Sequence, residues 1–232
     1  DYDPEGEDKV LAAICYPHTN LSESQVLDRV KRLGHEDRVA LMTSYVGDRS
    51  ANRRHKPGRA FERTDYRFDV LSDYGAFRDL QRHRILTIEW QRLGTALGYD
   101  VPEVVAEAGL SEPYVASMER SRDLVAALAP SHPEQAAYGV ALAFRIRYSM
   151  QMNAREAMHV LELRSSPQGH ASYRWVAQEM HRQIGEVAGH RLLAEAMSHV
   201  DYGAEDLERL AAERRAEQRR SSLSVVGEPT TP

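Results

Sequence analysis

A single cysteine, Cys15, leaves this 232-residue chain no partner for an intramolecular disulfide and no thiolate cluster for zinc. Such cysteine usage fits a reducing, cytoplasmic setting. Cys15 sits among Ala and Ile in "VLAAICYPHT" with no base nearby, so it reads as a buried structural thiol rather than a nucleophile. No apolar run approaches the roughly eighteen residues a membrane helix needs, and no signal peptide opens the chain. It begins "DYDPEGEDK", without Met, as a fragment would. An excess of positive charge is also missing: 30 Lys and Arg stand against 35 Asp and Glu, for a net charge of −5. The one strongly basic stretch, "NRRHKPGR", lacks interleaved aromatics, so neither nucleic acid nor a membrane surface is an expected partner. Ten histidines are present but no HExxH. His181, His190 and His199 are nine apart, a spacing that does not stack ligands on one helix face, and no metal is expected.

What is there suffices for a folded core, at 42% hydrophobic and 28% charged residues. "NLSESQVLDRVKRLG" predicts a helix with Ser22 as its cap and Gly34 as its stop, and a second spans Glu36 to Tyr45. "GDRSANRRHKPGRAFER" reads as loop. "TDYRFDVL" alternates Tyr66, Phe68 and Val70 against polar partners, the pattern of a half-buried strand. A helix follows over "SDYGAFRDLQRHR", capped by Ser72 or Asp73. Then comes a loop with one small helix, a strong helix over "EPYVASMERSRDLVAALA", and another beginning at "PEQAAYGVAL". "AFRIRYSMQMN" alternates as a second strand, "NAREAMHVLELR" is a helix with Asn153 at its start, and a long helical tract runs from about His170 to Val200. With no βαβ alternation and no GxGxxG, the expected class is α+β, helices packed on a small mixed sheet. The domain is expected to span 1–203, with a charged helix and disordered tail over 204–232.

Several basic side chains fall at element ends rather than on solvated faces. Arg82, His83 and Arg84 close one helix; Asn153 and Arg155 open another, which Arg164 closes, with Arg155 and His159 four apart on one face. Arginine forks onto phosphate, and a helix N-terminus adds free N–H donors, so the two segments could form a site for a phosphorylated ligand. The plainer alternative is that Arg82 and Arg84 favour a helix C-terminus and bridge to carboxylates such as Asp79 or Glu89.

The spacing of these residues resembles that of the flavin-dependent thymidylate synthases. That family carries Arg-His-Arg, seven residues and then Ser, and later an Asn-x-Arg helix ending in a substrate arginine. Here "RHR" at 82–84 is followed by "NAREAMHVLELRSSPQGHASYR", with the Asn-to-Arg and Arg-to-Arg spacings ungapped. Upstream, "HKPGRAFE" is similar to the family's "GHETPFEH" segment. The resemblance implies an α/β homotetramer with FAD at subunit interfaces. It also implies transfer of a methylene from methylenetetrahydrofolate to C5 of dUMP, with NADPH reducing the flavin. On the same footing Arg82, His83, Arg84, Asn153, Arg155 and His159 would contact FAD, joined by Arg59, Glu62 and His55 from the upstream segment. Arg164 would hold the pyrimidine base. No nucleophile is then required, because the cofactor carries the hydride chemistry and the protein orients it.

The match breaks on the substrate side. Arg92 stands where the family has its Ser, Gly94 and Ala137 where it has phosphate-binding arginines, and Asp79 where it has a Gln. Each lost charged contact would cost about 1.5–3 kcal/mol, and Asp79 suits a hydroxyl or amine donor better than a phosphate. The resemblance therefore implies a methylase of dUMP or a relative such as UMP, with Asp79, Arg92 and Arg164 at an altered substrate grip. Two alternatives stay open: a flavin enzyme with a different substrate, and a non-catalytic flavin-binding member. The stretch 93–114 has no counterpart that assigns it a role.

Overall fold

The computed structural model describes residues 1–203; the charged helix and tail expected beyond lie outside the described residues. The architecture is α+β. Its centre is a three-stranded sheet of β1 (Asp65–Asp73), β2 (Thr87–Trp90) and β3 (Arg145–Asn153), ordered β1-β3-β2. Both pairings are antiparallel, with Tyr66 opposite Met152 and Ile88 opposite Met150. The expected mixed sheet is therefore corrected to an antiparallel one: β1 and β2 share a direction, but β3 lies between them.

The period-2 alternation decides which face is covered. Tyr66, Phe68 and Ser72 of β1 and Ile146, Tyr148, Met150 and Met152 of β3 are buried on one side, while Arg67, Asp69, Arg147 and Gln151 alternate with them. One covered and one polar face is the usual economy of an antiparallel sheet. Helices α1 (Gly6–Cys15), α4 (Tyr74–Leu80), α7 (Ala154–Arg164) and α8 (Ala171–Glu186) supply the apolar cover through Leu11, Phe77, Leu161 and Ile184. Phe77 packs on Tyr148 with ring centroids 4.7 Å apart.

Two caps direct the chain from strand into helix. Asp73 ends β1 and accepts from the Ala76 N–H at 2.8 Å, launching α4. Asn153 ends β3 and accepts from the Glu156 N–H at 2.9 Å, launching α7. Each carboxylate or amide oxygen satisfies a helix N–H that has no partner of its own. α2 (Glu23–Val30) opens on Ser22 with a reciprocal bond to Gln25, and α3 covers His35–Val46.

Three expectations are corrected. The tract from His170 to Val200 is two helices, α8 and α9 (Arg191–Ala196), parted at Gly189, whose φ of 73° is left-handed. The helix expected from "PEQAAYGVAL" is a single 3₁₀ turn at Gln135–Gly139, bounded by Pro133 and Gly139. Cys15 is half-buried rather than buried; burial still pushes its thiol pKa up, against thiolate formation. Between β2 and β3, α5 (Glu103–Glu107) and α6 (Ser111–Leu128) form a side layer around their own small cluster of Met118, Val140 and Phe144.

Candidate active site

α7 organises the site, because it brings two distant stretches of chain to its two ends. At its start Arg155 donates to the Pro57 carbonyl at 3.0 Å and pairs with Glu62 at 3.3 Å. Glu62 in turn takes Arg59 at 2.9 Å. The upstream segment "HKPGRAFE" is thus seated on the opening turn of α7, within reach of Asn153 and Arg155. The Arg59 guanidinium is 85% exposed and the His55 side chain faces outward, so both reach solvent beside this seat.

Farther along, the turn after α4 folds onto α7. His83 is buried, and its Nε2 accepts from Arg164 Nε at 3.0 Å across 81 residues of sequence. Its Nδ1 faces the buried Glu156 carboxylate at 3.7 Å, and its ring meets that of His159 edge-on at 5.6 Å. Arg164 also reaches Asp79 at 3.5 Å and lies over the Tyr173 ring at 5.5 Å, a cation–π contact that helps hold the guanidinium. Burial holds His159 below the usual imidazole range, and the Lys56 ammonium pushes the same way. At ordinary pH its ring is therefore a neutral acceptor and donor.

The three members of the triplet part company here. His83 turns inward. Arg82 is exposed and pairs with Asp79 at 3.7 Å, the plain bridge read as the alternative. Arg84 is exposed, with no ion pair among the described residues. A turn, unlike a helix or strand, lets neighbours diverge in this way. Arg92 is engaged by the side layer: it donates to the Pro133 carbonyl and pairs with Glu134 at 3.1 Å.

Five contributors carry no clear signal in the sequence. Glu156 lies at the third position of α7, three residues before His159, and the i, i+3 spacing with a known candidate was its only signal. Lys56 and Arg53 bear on His159 from the basic loop. Arg49 and Glu162, both buried, form a two-pronged pair at 2.6 and 2.7 Å, and Arg49 Nε also binds the His55 carbonyl at 2.6 Å. That pair ties the basic loop to the middle of α7. Nothing in "GDRS" marks it.

Comparison with known proteins follows the same lines. A family model described as thymidylate synthase complementing protein matches residues 1–189. A UPF0159 protein of Chlamydia muridarum is 38% identical over 213 residues, and one of Chlamydia pneumoniae 40% over 215. Those alignments cover 92% and 93% of this chain but 40% of each relative. A UPF0159 protein of Thermoplasma acidophilum is 37% identical over 207 residues, covering 88% of this chain and 41% of that protein. The chain thus spans about 40% of the length of these curated relatives. Among solved structures, thymidylate synthase X from Helicobacter pylori, crystallised with FAD and dUMP, superposes with a TM-score of 0.59 at 17% identity. The match covers 86% of this chain and 97% of that one, and speaks to the fold.

Proposed function

The chain belongs to the thymidylate synthase complementing protein family, and from that premise we propose that it is a flavin-dependent, thymidylate synthase-like enzyme acting at C5 of a pyrimidine nucleotide. The observation that carries the reading is the meeting of His83 and Arg164 at 3.0 Å on the helix that Asn153 and Arg155 open. Two stretches whose likeness to the family was separate in sequence become one site.

The residues present fit FAD. Arg155 brings positive charge to the start of α7, and Lys56 and Arg53 bring it beside His159 farther along the helix, charge of the sign a diphosphate requires. The Glu156 carboxylate, buried and without a hydrogen bond within 3.5 Å among the described residues, is an acceptor facing the same space. When bound, the flavin would supply the hydride, with NADPH reducing it and methylenetetrahydrofolate giving the carbon. The chain's own part is orientation and charge. Arg155 and Glu62 fix the upstream segment against α7. Arg164, held by His83, Asp79 and Tyr173, presents donors to the carbonyl edge of a pyrimidine. In this reading the molecule works as a homotetramer with FAD between subunits, in the cytoplasm. No helix among the described residues is long and apolar enough to cross a membrane.

A different substrate is the second reading, and Asp79 and Arg92 favour it. Asp79 occupies Arg164 and Arg82 with its own negative charge, and Arg92 is engaged by Glu134. A phosphate would meet a carboxylate where the family offers an amide. Flavin titration followed by tritium release from C5-labelled dUMP and UMP, with folate and NADPH, tests both readings. Release from either nucleotide supports the methylase. Bound flavin without release supports another substrate, or a member that binds flavin without turnover, and no flavin binding at all would overturn the assignment.

A further inference from the structure

Glu156 is 5% exposed in the first turn of the site helix. Its titratable neighbours are His83, whose Nδ1 lies 3.7 Å from Oε1, and His159, within 4.8 Å. The other nitrogen of that ring, Nε2, sits 3.0 Å from Arg164 Nε. Arginine can only donate, so Nε2 must accept, and the proton of a neutral His83 is forced onto Nδ1. That proton faces Glu156. Arg164 thus donates both ways, to His83 Nε2 and, at 3.5 Å, to Asp79, while the far side of the imidazole presents its own N–H to the carboxylate.

We propose that Glu156 is a positioning residue: facing Nδ1, it reinforces the Nδ1–H tautomer that the Arg164 contact favours and thereby steadies the aim of Arg164. What Arg164 is aimed at rests on the reading above; the tautomer does not. A surface glutamate at the third position of a helix would be explained by the helix dipole alone. Burial removes that explanation, since the dipole favours an exposed carboxylate equally well and burial without a partner is costly.

A metal is the competing account. Among the described residues His83, Glu156 and His159 are the group whose ligand atoms all lie within 4.8 Å of one another, and two imidazoles with a carboxylate are a transition-metal donor set. A metal would need a free lone pair on His83. Arg164 holds that of Nε2, and Nδ1 carries the proton, so coordination would require Arg164 to let go. Lys56 and Arg53 add positive charge beside His159.

The deciding experiment is long-range proton–nitrogen NMR on the chain labelled at histidine nitrogen, without flavin, with His83 assigned by its loss in His83→Gln. Wild type is expected to carry the proton on Nδ1. Glu156→Leu should move the tautomer ratio toward Nε2–H by roughly threefold, because the 3.7 Å contact is longer than a hydrogen bond and Arg164 still donates to Nε2. Glu156→Gln, which keeps an acceptor oxygen, should restore most of the wild-type ratio. A proton on Nε2 in wild type overturns the proposal, and this arm needs no variant to fold. So does an unchanged ratio in a folded Glu156→Leu, or stoichiometric zinc binding that perturbs all three side chains. A parallel FAD titration separates the two inferences: absence of flavin binding with the expected tautomers overturns the functional reading only, and flavin binding with an unmoved ratio overturns only the role of Glu156.

Discussion

Two glutamates six residues apart on α7 are both buried and live in opposite surroundings. Glu162 is saturated: Arg49 grips both oxygens at 2.6 and 2.7 Å, and the His199 N–H adds a third bond at 3.3 Å. Arg53 caps the same residue's carbonyl at 3.1 Å. Glu156 makes no such bond among the described residues: His83 stands 3.7 Å off and His159 within 4.8 Å. A buried charge whose hydrogen bonds are all made holds parts together; one left short of partners has capacity for chemistry. The first region fastens the basic loop over residues 48–57 to the helix. The second lies one to two turns nearer the start of the same helix, where Lys56 and Arg53 of that loop bear on His159.

The largest expected effect lies at the saturated pair. Glu162→Ala strands Arg49 without its carboxylate and should destabilise the chain by about 3–5 kcal/mol in urea unfolding. A loss confined to flavin binding, with stability intact, would break the contrast between the two glutamates. Arg155→Ala should do the reverse. Its pair with Glu62 is partly exposed, so stability should change little, while FAD affinity falls roughly tenfold, ~1.4 kcal/mol, in a fluorescence titration.

A smaller effect comes from pH. Burial holds His190 below the usual imidazole range, against the opposing pull of Glu7, Asp3 and Asp8; its Nδ1 meets the Tyr66 hydroxyl at 2.8 Å and its Nε2 has no partner among the described residues. Folding therefore favours the neutral ring. The unfolded chain binds the proton first, so this stability is present above about pH 6.5 and is lost as pH falls from there through the folded value. His159, lowered by the same cause, adds in the same direction. Melting temperature should drop between pH 7 and pH 5, and the slope should flatten in His190→Gln; an unchanged slope would mean the ring is not the titrating group. Smallest of all, Arg92→Ala should leave stability within about 0.5 kcal/mol and nucleotide affinity unaltered, because Arg92 is spent on Glu134. A clear loss of nucleotide binding in calorimetry would return Arg92 to the substrate side.

The strands that build the site were legible because burial on one face writes a period of two, as in Tyr66, Phe68, Ile146 and Tyr148. Asn153 and Ser22 were legible as caps for their side-chain acceptors. β2 was not, since four residues at a sheet edge, three of them exposed, leave no alternation to read. The helix α1 went unread beside the question of its cysteine. The break at Gly189 could not be separated from a helix-tolerated glycine without its φ. Among site residues, the family-like spacing pointed to His83, Asn153, Arg155 and Arg164, and these converge on α7. Arg92 engages Pro133 and Glu134 of the side layer, a pairing across 41 and 42 residues that counting along the chain does not foresee. Glu156 and the Arg49–Glu162 pair depend on contacts between segments far apart in sequence, which no local pattern encodes.

The central claim is that the space bounded by the basic loop, His83 and α7 takes FAD. Titrating the folded chain with FAD, alongside Arg155→Ala at matched melting temperature, tests it most directly. Saturable binding in wild type that weakens roughly tenfold in the variant is the expected result. A folded wild-type chain that takes up no flavin, or a variant that binds it equally well, would contradict the account.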